Sequence, residues 1–85
     1  MANITIYSKD WCAYCANAKR LLKARGFDFE EVDITNDPAL EQDVIERTGQ
    51  RTVPQIFVGE KFIGGFVELA RLISKGELDH LKNAA

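Results

Sequence analysis

The sequence predicts an α/β fold, a four-stranded mixed sheet flanked by helices in the order βαβ–α–ββ–α. Three patterns in the chain lead there. Short alternating apolar stretches are interleaved with stretches of helical period, as in a βαβ unit. Glycines and an Asp-Pro pair punctuate the boundaries. Two consecutive apolar strands are separated only by Gly59-Glu60, which is hairpin spacing.

Residues 3–8 alternate β-branched and polar types, with Ile4 and Ile6 on one face, and predict the first strand. A helix follows, with Cys15, Ala18, Leu21 and Leu22 on its apolar face and Lys19, Arg20 and Lys23 opposite, and Gly26 as its stop. Phe27, Phe29, Val32 and Ile34 belong to a second strand region. Asp37 caps a second helix and Pro38 suits its first position; Leu40, Val44 and Ile45 form its buried face, and Gly49 ends it. The run from Val53 to Val58 reads as the third strand and Lys61-Phe62-Ile63 as the fourth. Gly64-Gly65 leads into a third helix with Phe66, Leu69, Ala70, Leu72 and Ile73 inward. Gly76 breaks it, and a short tail helix from Glu77 to about Leu81 is expected. The first two strands, joined by a helix, should be parallel.

With 85 residues and no linkers or repeats, residues 1–85 read as one domain. The formal net charge is −2 and no basic run is present, which argues against nucleic acid as a partner. No stretch is apolar enough to span a membrane. The start, Met1 to Tyr7, lacks the features of a signal peptide, so the expected location is the cytoplasm.

The chain has two cysteines, Cys12 and Cys15, placed between the first strand and the first helix. A cross-link closing so short a loop removes little unfolded-state entropy, so the pair is poorly suited to stapling the fold. A helix N-terminus offers unpaired N–H groups and partial positive charge, both of which favour a thiolate, the nucleophilic form. In a cytosolic chain, Cys-x-x-Cys beside a βαβ unit points to thioredoxin-like redox chemistry. Cys12 is expected to be the exposed nucleophile and Cys15, one turn in on the apolar face, the buried resolving thiol. Two other readings compete: a pair of reduced core cysteines, and half of a zinc site. The single histidine, His80, lies far off in the tail, so a closed four-ligand zinc site would need another chain. Around the pair, Trp11 and Tyr14 either pack locally or form an apolar wall for substrate. Lys9 is either a solvated charge or a partner for a thiolate or carboxylate. Pro54 suits a strand start. Gly64-Gly65 makes a turn and also brings the next helix N-terminus within reach of a carboxylate.

Together these residues resemble the glutaredoxins, over essentially the whole chain. Cys12-Ala13-Tyr14-Cys15 is similar to the family's Cys-Pro-Tyr-Cys. Thr52-Val53-Pro54 looks like its Thr-Val-Pro strand start. The segment from Ile63 through Gly64-Gly65 to Leu69 looks like its Gly-Gly-x-x-Asp-Leu segment. The resemblance implies a thioredoxin fold with Pro54 cis and a monomer that reduces disulfide-containing or glutathionylated proteins with glutathione as reductant. Carried over residue by residue, Cys12 is the nucleophile and Cys15 its partner. Lys9 and Gln50 face the glycine carboxylate of glutathione, and Tyr14 lies beside its thiol. Thr52, Val53 and Pro54 border the tripeptide, with Val53 pairing backbone to backbone. Gly65, Phe66, Val67 and Glu68 meet the γ-glutamyl end.

Two departures stand out. Ala13 replaces the family's proline; members with a small residue there can assemble a glutathione-ligated [2Fe-2S] cluster between two subunits, with Cys12 as the protein ligand. Val67-Glu68 stands where the family often has a polar residue and aspartate. The alternative readings are therefore an iron–sulfur carrier or scaffold dimer and a redoxin reduced by thioredoxin reductase. A cysteine-paired metal chaperone would more often be a βαββαβ chain, which this order does not match.

Overall fold

The structure, a computed structural model, describes residues 3–82; Met1, Ala2 and residues 83–85 of the expected domain lie outside it. The elements run β1 (Ile4–Ser8), α1 (Ala13–Ala24), β2 (Phe29–Asp33), α2 (Pro38–Thr48), β3 (Gln55–Val58), β4 (Lys61–Gly64) and α3 (Phe66–Ser74), then a 3₁₀ turn at Asp79–Leu81. They form the four-stranded mixed sheet that the sequence predicts, in the order β2-β1-β3-β4. β1 and β2 are parallel, with Ile4 opposite Phe29 and Ser8 opposite Asp33. β3 lies antiparallel to β1 and to β4. The β3–β4 register shifts between Ile56 and Phe57, which leaves Ile63 as the extra residue of a bulge.

Strand alternation sorts the side chains. Ile4, Ile6 and Ile56 face α1 and α3, where they join Ala18, Leu22, Leu69 and Ile73 in the main core. Fully burying each of the isoleucine and leucine side chains contributes about 1.5–3 kcal/mol. On the other face, Tyr7 and Phe57 meet edge to face with ring centroids 5.5 Å apart, and the Arg47 guanidinium of α2 lies over both rings. Ser8, buried at the end of β1, donates its hydroxyl to Glu31 Oε2 at 2.7 Å. Lys19 donates to the same oxygen, and these two bonds hold the Glu31 carboxyl below the usual carboxylate range.

Both helices that carry the core end in the same way. After α1, Gly26 adopts φ 81° and the Phe27 N–H returns to Leu22 O at 2.9 Å. After α3, Gly76 adopts φ 74° and the Glu77 N–H returns to Leu72 O at 3.0 Å. Each is a Schellman closure that satisfies the last carbonyls of its helix. This closure corrects the tail: the backbone from Lys75 to Glu77 finishes α3 instead of starting a helix at Glu77, and only the 3₁₀ turn follows. It also corrects the second strand, because Phe27 swings into the core two residues before β2 begins, and Ile34 is buried just after β2 ends. In α2, only Val44 is fully buried; Leu40 and Ile45 are half-buried. The cap and stop of α2 are as expected: Asp37 accepts the Leu40 N–H, Pro38 opens the helix and Gly49 turns at φ 75°. Among the described residues no helix is long and apolar enough to cross a membrane.

Candidate active site

β1 delivers the chain to the sheet's end at Ser8, and α1 starts five residues later at Ala13 with Cys12 as its N-cap. A cap residue supplies an acceptor for the orphan N–H groups of the first turn, a role usually taken by serine or aspartate. Here a sulfur does it: Cys12 Sγ accepts the Cys15 N–H at 3.0 Å. The Cys12 main chain is fixed as well, its N–H donating to Lys9 O at 3.2 Å and its carbonyl accepting from Ala16. The expectation of an exposed Cys12 is corrected, since only 9% of the residue is accessible. A capping side chain folds over its own helix, and the segment before β3 covers it from the other side, with Sγ 3.5 Å from Val53 O. The large apolar side chains exposed at this corner are its neighbours Trp11 and Tyr14.

Cys15 is 1% exposed, at the position expected of the buried partner. Burial, reinforced by the Cys12 side chain, pushes its thiol from 9.0 up to about 12; a hydrogen bond from the Lys9 backbone opposes this in part. Both cysteines are free thiols.

A groove of about 300 Å³ opens beside the pair. Tyr14, the Thr52–Pro54 segment and the start of α3 from Gly65 to Glu68 line it. The Val53–Pro54 bond is cis. The Tyr14 and Phe66 rings lie 6.1 Å apart across the groove. Where α3 begins, Glu68 folds back so that Oε1 accepts the Gly65 N–H at 2.8 Å, one half of a capping box. This return brings Glu68 against Gly64, which sits at φ 121°: a Cβ there would fall 2.6 Å from Glu68 Cγ. Val67, also in the lining, is exposed.

Eight of the residues singled out in the sequence therefore line one groove: Tyr14, Thr52, Val53, Pro54, Gly65, Phe66, Val67 and Glu68. Cys12 borders it through Val53. Lys9 and Gln50 do not line it. Lys9 pairs through Nζ with Glu41 of α2 and lies over the Trp11 ring at 5.6 Å. Gln50 is exposed, and its carbonyl accepts Gln55 Nε2 at 2.7 Å. Glu41 escaped the sequence reading. Its contact with Lys9 spans 32 positions, and its only local signal was an acidic side chain in the first turn of α2. His80 sits exposed on the 3₁₀ turn, away from the cysteines. Among the described residues no group of three or more His, Cys, Asp or Glu is placed to hold a metal ion.

Known proteins resemble this chain in sequence and fold. The glutaredoxin family model matches residues 4–63, which include β1, the cysteine pair, Pro54 and most of β4. Glutaredoxin 3 of Escherichia coli is 44% identical over 81 residues, covering 95% of this chain and 98% of the relative. A glutaredoxin of Pseudomonas aeruginosa is 40% identical over 84 residues, covering 99% of this chain and all of the relative. Among solved structures, the Brucella melitensis glutaredoxin superposes with TM-score 0.81 at 41% identity, covering 100% of this chain and 94% of that one. A buckwheat glutaredoxin–glutathione complex superposes with TM-score 0.85 at 29% identity, covering 94% of this chain and 76% of that one. The chain thus has the thioredoxin fold of these neighbours. With the capping cysteine, its buried partner and the Pro54 groove on that fold, this chain belongs to the glutaredoxin family of thiol–disulfide oxidoreductases.

Proposed function

We propose that the protein is a glutathione-dependent reductase of protein disulfides and glutathione mixed disulfides, acting through Cys12 and Cys15. The observation that supports this best is the groove, which starts beside Cys12 Sγ at Val53 and ends at the N-terminus of α3. A tripeptide with a thiol in the middle and carboxylates at both ends suits such a channel. Its sulfur would lie against Cys12 and its γ-glutamyl carboxylate against the N–H groups of Val67 and Glu68. Val53 would pair with its backbone, between Thr52 and Pro54. Tyr14 and Phe66 would flank it, and Lys9 and Gln50 would face its glycine end.

The reaction runs by thiol–disulfide exchange. The Cys12 thiolate attacks the glutathione sulfur of a glutathionylated protein. The old disulfide breaks, the protein thiolate leaves and takes a proton, and Cys12 holds glutathione as a mixed disulfide. A second glutathione thiolate then attacks that glutathione sulfur, releasing oxidised glutathione and the Cys12 thiolate. With a protein disulfide, Cys12 first forms a mixed disulfide with the protein. Cys15 loses its proton and attacks Cys12, freeing the reduced protein and leaving a Cys12–Cys15 disulfide, which two glutathione molecules reduce. A reducing compartment such as the cytoplasm supplies that glutathione. One chain offers only its own two thiols toward an iron–sulfur cluster, and no observation favours that reading.

The test is turnover of a glutathionylated peptide coupled to glutathione reductase. The wild type should turn over and Cys12→Ser should lose activity entirely. Full activity in the Cys12 variant, or turnover by the wild type with thioredoxin reductase but none with glutathione, would overturn the proposal.

A further inference from the structure

We propose that Glu41 is a specificity-determining residue that acts through Lys9, weakening the hold of the Cys12 site on substrates whose nearby end is anionic. Lys9 stands three positions before Cys12 and is built into the same corner. Its carbonyl accepts the Cys12 N–H and its backbone bonds to Cys15. Its ammonium is held between the Glu41 carboxylate and the Trp11 ring. The two paired side chains are only 18% and 28% accessible, less than those of the Lys19–Glu31 pair at 31% and 36%. Lys9–Glu41 is therefore a built contact that fastens α2 to the loop carrying the nucleophile.

An ammonium has three N–H donors. Glu41 takes one and the Trp11 face lies over the cation, so a ligand carboxylate can still reach Lys9. It arrives, however, at a charge already neutralised, with a second carboxylate beside it. Like charges at such separations repel, most strongly where water is partly excluded. A substrate segment that is neutral there meets no such opposition. Glu41 thus shifts the balance of the site away from free glutathione conjugates and toward ordinary polypeptide disulfides. This inference rests on the proposed placement of the glycine carboxylate of glutathione near Lys9.

The test uses two mixed disulfides of one peptide, one with glutathione and one with its glycine ethyl ester, which differ only in that carboxylate. Glu41→Gln should raise kcat/KM for the acid about threefold, through KM, and leave the ester unchanged. In a Lys9→Gln background the same substitution should change neither substrate. Equal changes for acid and ester, or a fall for the acid alone, would overturn the inference while leaving the glutathione reading intact. A wild type that turns over neither conjugate would overturn the glutathione reading itself, and this inference with it.

Discussion

Cys12 Sγ accepts the Cys15 N–H at 3.0 Å, so the first thiol of the pair caps the helix that buries the second. The two sulfurs consequently meet different surroundings. Cys12 borders the groove and touches the carbonyl of Val53, whereas Cys15 lies behind it among core residues. On the proposed mechanism the substrate sulfur meets Cys12, and Cys15 then attacks the Cys12 sulfur from the buried side. The difference in burial supports the proposed order, Cys12 first and Cys15 second.

That order separates the two activities. Cys15→Ser should keep most of the deglutathionylation rate, because on the proposed mechanism external glutathione resolves the Cys12 mixed disulfide. Reduction of a protein disulfide should collapse, since no intramolecular thiol remains to release the product. Parallel assays on a glutathionylated peptide and on a disulfide-bonded protein check this; equal losses in both would refute the unequal roles.

Burial of Cys15 has a consequence for stability. Its folded-state pKa of about 12 lies above the ordinary 9.0, so the folded protein retains a proton that the unfolded chain gives up. The resulting stabilisation is fully present below pH 9.0 and is lost as pH rises toward 12. The slope is at most about 1.4 kcal/mol per pH unit. Urea midpoints under reducing conditions should therefore fall between pH 9 and 11, and the gap between wild type and Cys15→Ala should narrow over that range. A constant gap would show that Cys15 does not titrate with unfolding.

Gly64 is the point where β4 turns into the groove. At φ 121° only glycine is relaxed, and a methyl group would press on Glu68 Cγ and Cβ at 2.6 and 2.8 Å. Gly64→Ala should cost about 1–3 kcal/mol and break the Glu68 cap. Gly65→Ala is a fair control, because its Cβ would meet Pro54 O at a tolerable 3.4 Å without a positive φ. Chemical denaturation of the two variants should rank Gly64→Ala well below Gly65→Ala; equal midpoints would contradict this account.

Much of this architecture was legible because it is written locally. The caps of α2, the Gly59 hairpin and the alternation of Ile4 and Ile6 each depend on neighbours within a few residues. The cis Val53–Pro54 bond was legible only through the three-motif resemblance, since proline at a strand start is ordinary on its own. What escaped depends on distant partners. The Lys9–Glu41 pair joins residues 32 positions apart, one before α1 and one in α2. The burial of Cys12 depends on the segment at Val53, 41 positions away. Phe27 left the strand pattern because the Schellman turn after α1 directs it inward, which a period-2 reading of an edge strand does not anticipate.

Position 13 joins the sequence question to the site geometry. Ala13 is the first residue of α1, exposed, and its N–H is one of the four that a helix leaves without an internal partner. Proline is favoured there, and it requires an extended residue before it. Cys12 already has φ −93° and ψ 111°, which meets that requirement. Ala13→Pro should therefore fold normally, with stability unchanged or raised by about 0.4–1 kcal/mol through a stiffer unfolded chain. The Cys15 N–H, the donor that reaches Cys12 Sγ, is untouched, so the alkylation rate of Cys12 at neutral pH should stay within about tenfold of wild type. Urea denaturation and competitive alkylation measure the two quantities. A loss of stability beyond about 1 kcal/mol, the scale of one net hydrogen bond, would show that the Ala13 N–H holds a bond the fold needs.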